Sequence, residues 1–413
     1  MLPAHVGRRS VLKAGAGLVA GAVLGFPSIL RAEDSIRIGH LTPMTGFLGV
    51  LGQWATLGVQ MAADEINRAG GVLGRPLEVK SEDSINPDTA ATKAQRILER
   101  DGAVLILGEI NSASALSISQ VAARNRRLFV ATGPRSDALR GKSCNRYLFC
   151  TDIPNTVMVN AVGNALLRDN MVRGKRFHTL TADYVFGHDL LQAAKVFFNA
   201  NGATLIGDEL IPTDVTDFSP YLLKLRQSKP DVVCLNLAGN QVTNFVKQYS
   251  EYGLPYPTVG FNLNTADAWA AGEGNLTGTW PTVWYHTLEN PRSKAFVAAF
   301  MKAQGKPPEN HAWIEYIALK ILARAMTETK STDTAKLIAY FEKGGKFDIL
   351  KDREAYFRSW DHQLVQEAYP FTVKPKGQAK DQYDLLVLGA AVPAANQPLE
   401  TIYPTQEQNP CKL

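Results

Sequence analysis

Strand-like and helix-like patterns alternate along most of the chain. The apolar run IRIGHL at 36–41 precedes a helical pattern over 53–68, and PLEVKSE precedes a second one over 88–99. AVLILG then precedes a helical pattern over 113–124, and LFVAT at 128–132 ends the set. Strands that alternate with helices pair in parallel and need helices on both faces of their sheet. This order therefore restricts the chain to an α/β fold.

A second set of such units follows Pro154. RFHTLTA precedes a helical pattern over 187–200, ATLIGDELI precedes one over 217–228, and DVVCLNL precedes one over 241–252, before the short run TVG. The pattern is then helical for about 60 residues, after which FDIL, AYPFTV and YDLLVLG are typical of strands. Because the late helices have no sheet of their own, we expect them to pack on the first lobe while the last strands return to the second. The two lobes would then be joined by several chain crossings, which form a hinge.

The first 32 residues have the features of an export signal. They contain two arginines at 8–9, an apolar run of small residues over 14–30, and Ala32 before the charged EDS. The run is shorter than the roughly 20 residues of a membrane-spanning helix and contains Pro27, which favours a cleaved signal over an anchor. We therefore predict cleavage after Ala32.

The route of export has two interpretations. The stretch RRSVLK is similar to a twin-arginine signal, which would imply export of an already folded chain. The alternative is an ordinary Sec signal that contains two arginines. No lipid-anchoring cysteine follows the apolar run, so we expect a soluble periplasmic protein.

The charge of the chain gives no support for a nucleic-acid partner. The sequence pI is about 8.9, but four of the 44 basic residues lie in the first 32 positions, which leaves 40 basic against 39 acidic side chains. The exported protein is thus close to neutral, and we expect no nucleic acid among its partners.

Enzyme and cofactor motifs are not found in the sequence. There is no GxGxxG after a strand and no GxSxG, and the segment GKS at 141–143 lacks the first glycine of a phosphate loop because Ser136 occupies that position. No two of the seven histidines are spaced as i and i+4, which disfavours a metal site on a helix. We therefore expect no catalytic residues, no cofactor and no metal.

The four cysteines are disulfide candidates in an exported chain. Cys234 lies in the apolar run DVVCLNL and is predicted to be a buried free thiol. A local bridge between Cys144 and Cys150 is one alternative, but an extended strand would hold these residues about 20 Å apart. We favour a bridge between Cys144 and Cys411, which would fix the C-terminal tail.

Arg135 follows the strand in the stretch LFVATGPRSD. A guanidinium keeps its charge in proteins, so at the end of a strand it needs an anion, a carbonyl or water as partner. Ligands of open α/β sheets bind beyond the carboxyl ends of the strands, often at helix N-termini. Ser112 and Ser114 lie at such a turn, although either serine could simply cap its own helix.

The stretch LTPMTGFLGVLGQWATLGVQMAADEINRAGGVLGRPLEV resembles the opening of the periplasmic branched-chain amino acid binding proteins. These proteins capture solutes for ABC importers. ILGEINSAS, ADYVFGHDL, DFSPYLLKLRQSKPDVV and HAWIEYIALKI also match in the expected order, so the resemblance covers nearly all of the exported chain. It implies a type I periplasmic binding fold, in which two Rossmann-like lobes with parallel sheets are joined by a three-crossover hinge and close on a small solute.

The resemblance also implies a domain organisation. After the signal at 1–32, we expect lobe 1 to comprise 33–152 and 287–362, and lobe 2 to comprise 153–286 and 363–413. The expected partners are a small solute and the membrane permease of an ABC transporter, and we expect a monomer.

Departures from the family pattern concern the solute. In the amino acid binders a serine and a threonine of the first lobe hold the carboxylate, and a glutamate of the second lobe holds the ammonium. Ser112 matches the serine, Arg135 falls at or beside the threonine, and Asn262 stands near the glutamate. A tyrosine of the second lobe is replaced by Ala238 or Gly239. Because an unpaired ammonium buried between the lobes would cost several kcal/mol, the loss of the glutamate argues against an α-amino acid.

We therefore predict an aromatic or otherwise apolar carboxylate, such as a benzoate or cinnamate derivative. Arg135 would hold its carboxylate through two hydrogen bonds, and Phe47 and other aromatic rings would supply flat walls. The predicted ligand-binding residues are Leu51, Trp54, Ser112, Ala113, Thr132, Gly133, Arg135, Tyr184, Phe186, Asn236, Ala238 and Asn262.

Several alternatives remain at this stage. Arg135 could form a surface salt bridge, and Trp54 and Phe186 could serve ordinary core packing. The fold could bind an amide, a urea or a polar amino acid through Asn262 and Asn236. His40, at a strand end, is a weaker candidate for the site. A periplasmic enzyme or a sensor-partner domain could also use this fold, since fold alone does not fix function.

Overall fold

The structure is a computed structural model and describes residues 35–413. The predicted signal and its cleavage site lie outside these residues. Within this part of the chain no helix is both long enough and apolar enough to cross a membrane.

The first sheet has five parallel strands in the order β2-β1-β3-β4-β5. The strands β3 and β4 are fully buried because helices cover both faces of the sheet. The strands are β1 (Ile36–Thr42), β2 (Leu77–Asp83), β3 (Leu105–Gly108), β4 (Leu128–Ala131) and β5 (Leu148–Cys150). The helices between them are α1 (Gly49–Arg68), α2 (Pro87–Glu99) and α3 (Ser112–Arg124).

The second sheet has four parallel strands in the order β7-β6-β8-β9. These are β6 (Arg176–Ala182), β7 (Thr204–Ile211), β8 (Val232–Asn236) and β9 (Thr258–Gly260). The helices of this region are α4 (Asn155–Arg168), α5 (Val185–Ala200), α6 (Ser219–Ser228), α7 (Asn240–Tyr252) and α8 (Thr265–Ala271). Two parallel α/β sheets in sequence confirm the predicted fold class.

The rest of the described chain adds three α-helices and two small antiparallel sheets. The helices are α9 (Pro291–Gln304), α10 (Asn310–Thr329) and α11 (Thr334–Glu342). One sheet joins β10 (Thr279–Thr282), β13 (Tyr369–Val373) and β14 (Leu386–Leu388), and the other pairs β11 (Tyr356–Phe357) with β12 (Leu364–Val365). The late strands thus pair with a strand that follows the second sheet, as their position in the chain predicts.

Helix α10 returns to the first sheet and packs along α1. The two helices approach closely at Gly58, where a Cβ atom would lie 2.0 Å from the carbonyl oxygen of Ala312. This packing carries the N-terminal end of α10 to the edge of the first sheet where β1, β3 and β4 end, and it therefore contributes to the site described below.

Sequence patterns missed some elements. The helices α4 and α8 were not predicted, and FDIL forms only an isolated bridge from Phe347 to Ala355 instead of a strand. The run cannot continue as a strand because Leu350 adopts a positive φ of 61°. The β-branched residues and asparagines of α4 have low helix propensity, and the helix is held by packing against α5, β10 and β13.

The C-terminal tail is tied to the body of the protein. The structure contains the disulfide between Cys144 and Cys411, whereas Cys150 and Cys234 are buried free cysteines. Upstream of the disulfide, the hydroxyl of Tyr403 donates to the carbonyl of Gln366 at 2.9 Å and accepts its N–H at 3.0 Å.

Candidate functional site

The carboxyl ends of the two parallel sheets face each other across a cleft. The loop before α7 lies against the segment before α1, and Gly239, with φ 54°, is required there because a Cβ atom would lie 2.1 Å from the carbonyl oxygen of Phe47. The backbone N–H of Thr265 donates to Asn310 at 3.3 Å and joins α8 to α10. The structure therefore has a closed cleft.

Arg135 lies inside this cleft and is only 4% exposed. Its Nε donates to Asp152 Oδ2 at 2.8 Å, and its Nη1 donates to the side-chain oxygens of Asn262 at 2.5 Å and Asn264 at 3.3 Å. Within residues 35–413 its Nη2 donates to no partner. Arg135 is thus no surface salt bridge: it connects the loop after β4 with the loop after β9 and keeps part of its guanidinium available.

Aromatic side chains line the cleft. Tyr184 and Phe186 follow β6 of the second sheet, and Phe47 precedes α1 of the first. The ring of Tyr184 lies 5.5 Å from that of Phe47, edge to face, and 5.6 Å from that of Phe186. Burial raises the pKa of the Tyr184 hydroxyl, and the positive charge of Arg135 opposes this rise. The hydroxyl has no hydrogen bond to the described residues, so Tyr184 has a neutral polar atom near the guanidinium.

The hydroxyls predicted for the first lobe already have partners. Ser112 Oγ accepts the N–H of Ser136 at 3.2 Å, and Thr132 Oγ1 donates to Glu315 Oε1 at 2.5 Å. The N–H of Ala113 donates to Asn111 Oδ1 at 2.9 Å, which caps α3. Ser112 and Thr132 therefore shape the loops of the site in this structure.

The remaining predicted residues fall into two groups. Gly133, Ala238 and Asn236 are buried at strand ends beside the cleft, and Asn236 Nδ2 has no partner within residues 35–413. Trp54 instead packs between the rings of Trp269 and Phe300, with the ammonium of Lys306 3.9 Å from its ring centre. Leu51 is also buried in the core.

A carboxyl group that the sequence patterns missed lies in the second side of the cleft. Asp267 is 3% exposed and accepts a hydrogen bond from Asn264 at 3.1 Å. Burial raises its pKa to about 7, and the negative charge of Glu309 adds to the rise, while His311 and Arg135 oppose it. The sequence patterns missed Asp267 because it belongs to the short helix α8.

A buried acidic cluster lies beneath the loops of the first sheet. Glu109 Oε1 accepts the N–H groups of Ile110 at 2.9 Å and Asn111 at 2.7 Å. Burial raises the pKa of Glu109 to about 7, and the nearby carboxylate of Glu315 adds to this rise. His40 Nε2 lies 3.4 Å from Glu315 Oε1, so His40 belongs to this cluster.

Helix α10 supplies one more side chain to the cleft. His311 lies beside Gly133, and its Nδ1 is 3.1 Å from Glu309 Oε2. Sequence patterns could not place this side chain, because it reaches the site only through the return of α10 to the first sheet.

A protein-family model described as periplasmic binding protein matches residues 35–379. The chain belongs to the periplasmic binding protein family. Members of this family bind small solutes and work with the permeases of transporters, and they are not enzymes. The family confirms the resemblance noted from the sequence and the prediction of a binding protein.

Individual proteins agree with this family assignment. A periplasmic binding protein from Burkholderia mallei is 27% identical, with a TM-score of 0.84 over 92% of this chain and 99% of that one. The Leu/Ile/Val-binding protein BraC3 of Rhizobium johnstonii is 27% identical over 79% of this chain and 87% of its own. A solute-binding protein of an ABC transporter from Rhodopseudomonas palustris, in complex with 3,4-dihydroxybenzoic acid, shares the fold at 23% identity, with a TM-score of 0.78 over 89% of this chain and 100% of that one.

Proposed function

We propose that this protein is the periplasmic solute-binding component of an ABC importer and that it captures a small aromatic or apolar carboxylate in the cleft as the lobes close. The observation that carries the proposal is the buried guanidinium of Arg135, which bonds to residues of both sides of the cleft and keeps Nη2 available. A buried guanidinium binds a carboxylate more strongly than a neutral donor does.

The charge of the cleft suits an anion only when its neighbouring acids are protonated. Asp152 already balances Arg135, so a bound carboxylate adds a negative charge. Asp267 and Glu109, whose pKa values are raised to about 7, can bind a proton and then carry no opposing charge. A protonated Asp267 would also donate a hydrogen bond to the solute.

The shape of the cleft supports a flat solute. The rings of Phe47 and Tyr184 meet edge to face near Arg135, so an aromatic ring packed against this apolar wall would have its carboxylate close to the guanidinium. The related Rhodopseudomonas palustris protein holds 3,4-dihydroxybenzoic acid in the same fold, which supports a ligand of this size.

A thermal-shift panel of aromatic acids, their amides and amino acids tests the proposal, because a ligand that binds only the folded state raises its stability. We expect aromatic acids to stabilise the protein and the matching amides to have a much smaller effect. By calorimetry, Arg135→Gln should weaken binding of the best acid by about 2 to 5 kcal/mol.

Arg324→Gln is the matched control for this variant, since it removes an arginine that pairs with Glu328 on the outer surface. It should leave the affinity unchanged. Circular dichroism without ligand checks that both variants fold. Equal affinity of the wild-type protein for an acid and its amide would refute the proposal that the solute is a carboxylate.

A second candidate solute is an amino acid, and the carboxylate of Asp267 favours it. In the amino acid binders a glutamate holds the ammonium. This chain lacks that glutamate, and Asp267 could hold the ammonium in its place. Asp267→Asn separates the two candidates. It should strengthen or preserve the binding of an aromatic acid, since it removes a negative charge, and it should abolish the binding of an amino acid, since the ammonium loses its partner.

A further inference from the structure

A group of exposed arginines lies at the end of the first sheet that faces away from the cleft. Arg124 ends α3, and Arg100 directly follows α2. Both helices run opposite to the parallel strands, so their C-terminal ends meet at the edge where the strands begin. The loops that lead into β4 and β5 reach the same edge. We call this surface the arginine pole; its members are Arg100, Arg124, Arg126, Arg127 and Arg146.

The five side chains of the arginine pole form no ion pair and no hydrogen bond with other residues of the part of the chain that the structure describes. Other arginines of the first sheet are paired, for example Arg37 with Glu78 and Arg96 with Glu82. Of the two acids that flank Arg100 in sequence, Glu99 and Asp101, the carboxylate of Asp101 lies 3.3 Å from Arg96 Nε. The exported chain is close to neutral as a whole, so this pole is a local excess of positive charge that the average conceals.

A groove between α2 and α3 extends the positive surface. It has a volume of 510 Å³, and its lining includes the cations Lys93, Arg100 and Arg124 and the single acid Glu99. Arg96 also lines it, but Glu82 and Asp101 balance its charge. The carboxylate of Glu99 accepts a hydrogen bond from Gln95. The groove therefore presents cations of two adjacent helices to the same side as the pole.

We propose that the arginine pole binds the anionic phospholipid headgroups of a bilayer. Guanidinium groups pair with phosphate oxygens in a planar, two-pronged geometry, and each basic residue near an anionic membrane contributes to binding. None of the large apolar side chains that stand exposed, such as Leu73, Ile85 and Val196, belongs to the segments of the pole. A protein partner would be expected to need an apolar centre at its interface, whereas a charged bilayer needs none.

The test is co-sedimentation of the protein purified from the periplasm with vesicles of phosphatidylglycerol and phosphatidylcholine. We expect binding to vesicles rich in phosphatidylglycerol at low salt, loss of binding near 0.5 M salt, and no binding to pure phosphatidylcholine. The triple variant Arg124→Gln, Arg126→Gln, Arg127→Gln should reduce the partition coefficient on the order of 100-fold, about fivefold for each charge.

The matched control removes three exposed lysines across the cleft from the pole, one in α7 and two between β13 and β14, by Lys247→Gln, Lys376→Gln and Lys380→Gln, and thus the same net charge. The partition coefficient of this control variant should fall by less than tenfold. An equal loss in both triple variants would overturn the proposal, because binding would then follow net charge alone. Absence of wild-type binding would overturn it as well.

Two further outcomes would point to another partner and contradict the proposal. Inorganic phosphate that displaces the protein from vesicles more strongly than sodium chloride of equal ionic strength would indicate a discrete anion site. Retention on polyglutamate at a salt concentration that releases the vesicles would indicate an acidic protein. Solute affinity should be the same in both triple variants. The membrane proposal can therefore fail without affecting the proposal that the cleft binds a carboxylate.

Discussion

Arg135 and Arg140 are close in sequence, almost fully buried, and both bonded to Asp152, but they differ in how their donors are used. Arg140 donates Nε to Gln363 at 2.7 Å, Nη1 to the carbonyls of Pro134 and Ser136, and Nη2 to the carbonyl of Asp152 at 2.8 Å. Arg135 leaves Nη2 without a partner in the described chain. A buried cation whose three nitrogens all donate holds the fold together, whereas a buried cation with an unused nitrogen indicates a place for a ligand.

The largest effect should come from Arg140→Gln. The substitution leaves several buried oxygens in the hinge region without a donor, so we expect the free energy of unfolding to fall by about 3 to 5 kcal/mol. Urea unfolding followed by circular dichroism measures this loss.

The matched comparison is Arg135→Gln in the same assays. Arg140→Gln should lower the free energy of unfolding more than Arg135→Gln does. The folded fraction of Arg140→Gln should retain more of the solute affinity than that of Arg135→Gln. The reverse order in either assay would contradict the assignment of Arg140 to structure and Arg135 to binding.

A smaller effect concerns the buried acid Glu109. Its pKa is raised from 4.5 to about 7, so the folded state holds the proton more tightly than the unfolded state. The free energy of unfolding contributed by Glu109 therefore falls as pH rises from about 4.5 to about 7. Glu109→Gln mimics the protonated form, and its stability should decline by about 1 to 3 kcal/mol less than that of the wild type over this range.

Glu328→Gln gives a control of opposite sign, because Arg324 lowers the pKa of Glu328 on the surface. In Glu328→Gln the free energy of unfolding should therefore fall slightly more, or rise less, with increasing pH than it does in the wild type. Unfolding measured at several pH values distinguishes the two variants. Parallel stability curves for Glu109→Gln and the wild type would show that folding does not raise the pKa of Glu109.

Sequence patterns predicted the sheets well because buried parallel strands and their helices leave long apolar runs with clear periods. They also singled out Arg135 as a candidate, since a cation in the loop after a buried strand is visible without coordinates. The same rule could have found Glu109, which directly follows β3 in ILGE. Asp267 and His311 were beyond its reach, because a short helix and a helix returning from the other end of the chain reach the cleft only through tertiary packing.

The same contrast between spare and satisfied polar atoms applies to two tyrosines, and there it can be tested by removing a single oxygen. The hydroxyl of Tyr403 near the hinge donates to one backbone group of Gln366 and accepts from the other. Tyr403→Phe leaves both groups buried and unpaired, so it should lower the free energy of unfolding by about 1 to 2 kcal/mol and leave solute affinity unchanged.

Tyr184→Phe should give the opposite result. Its hydroxyl has no partner within residues 35–413, so the loss of the oxygen should not lower the stability of the free protein, while a solute that accepts a hydrogen bond from it would bind about 0.5 to 1.5 kcal/mol more weakly. Both variants keep the ring and its packing, and therefore differ only in what the oxygen contacts. A stability loss for Tyr184→Phe without solute would mean that its hydroxyl is satisfied inside the protein, and the cleft would then lose one of its proposed contacts.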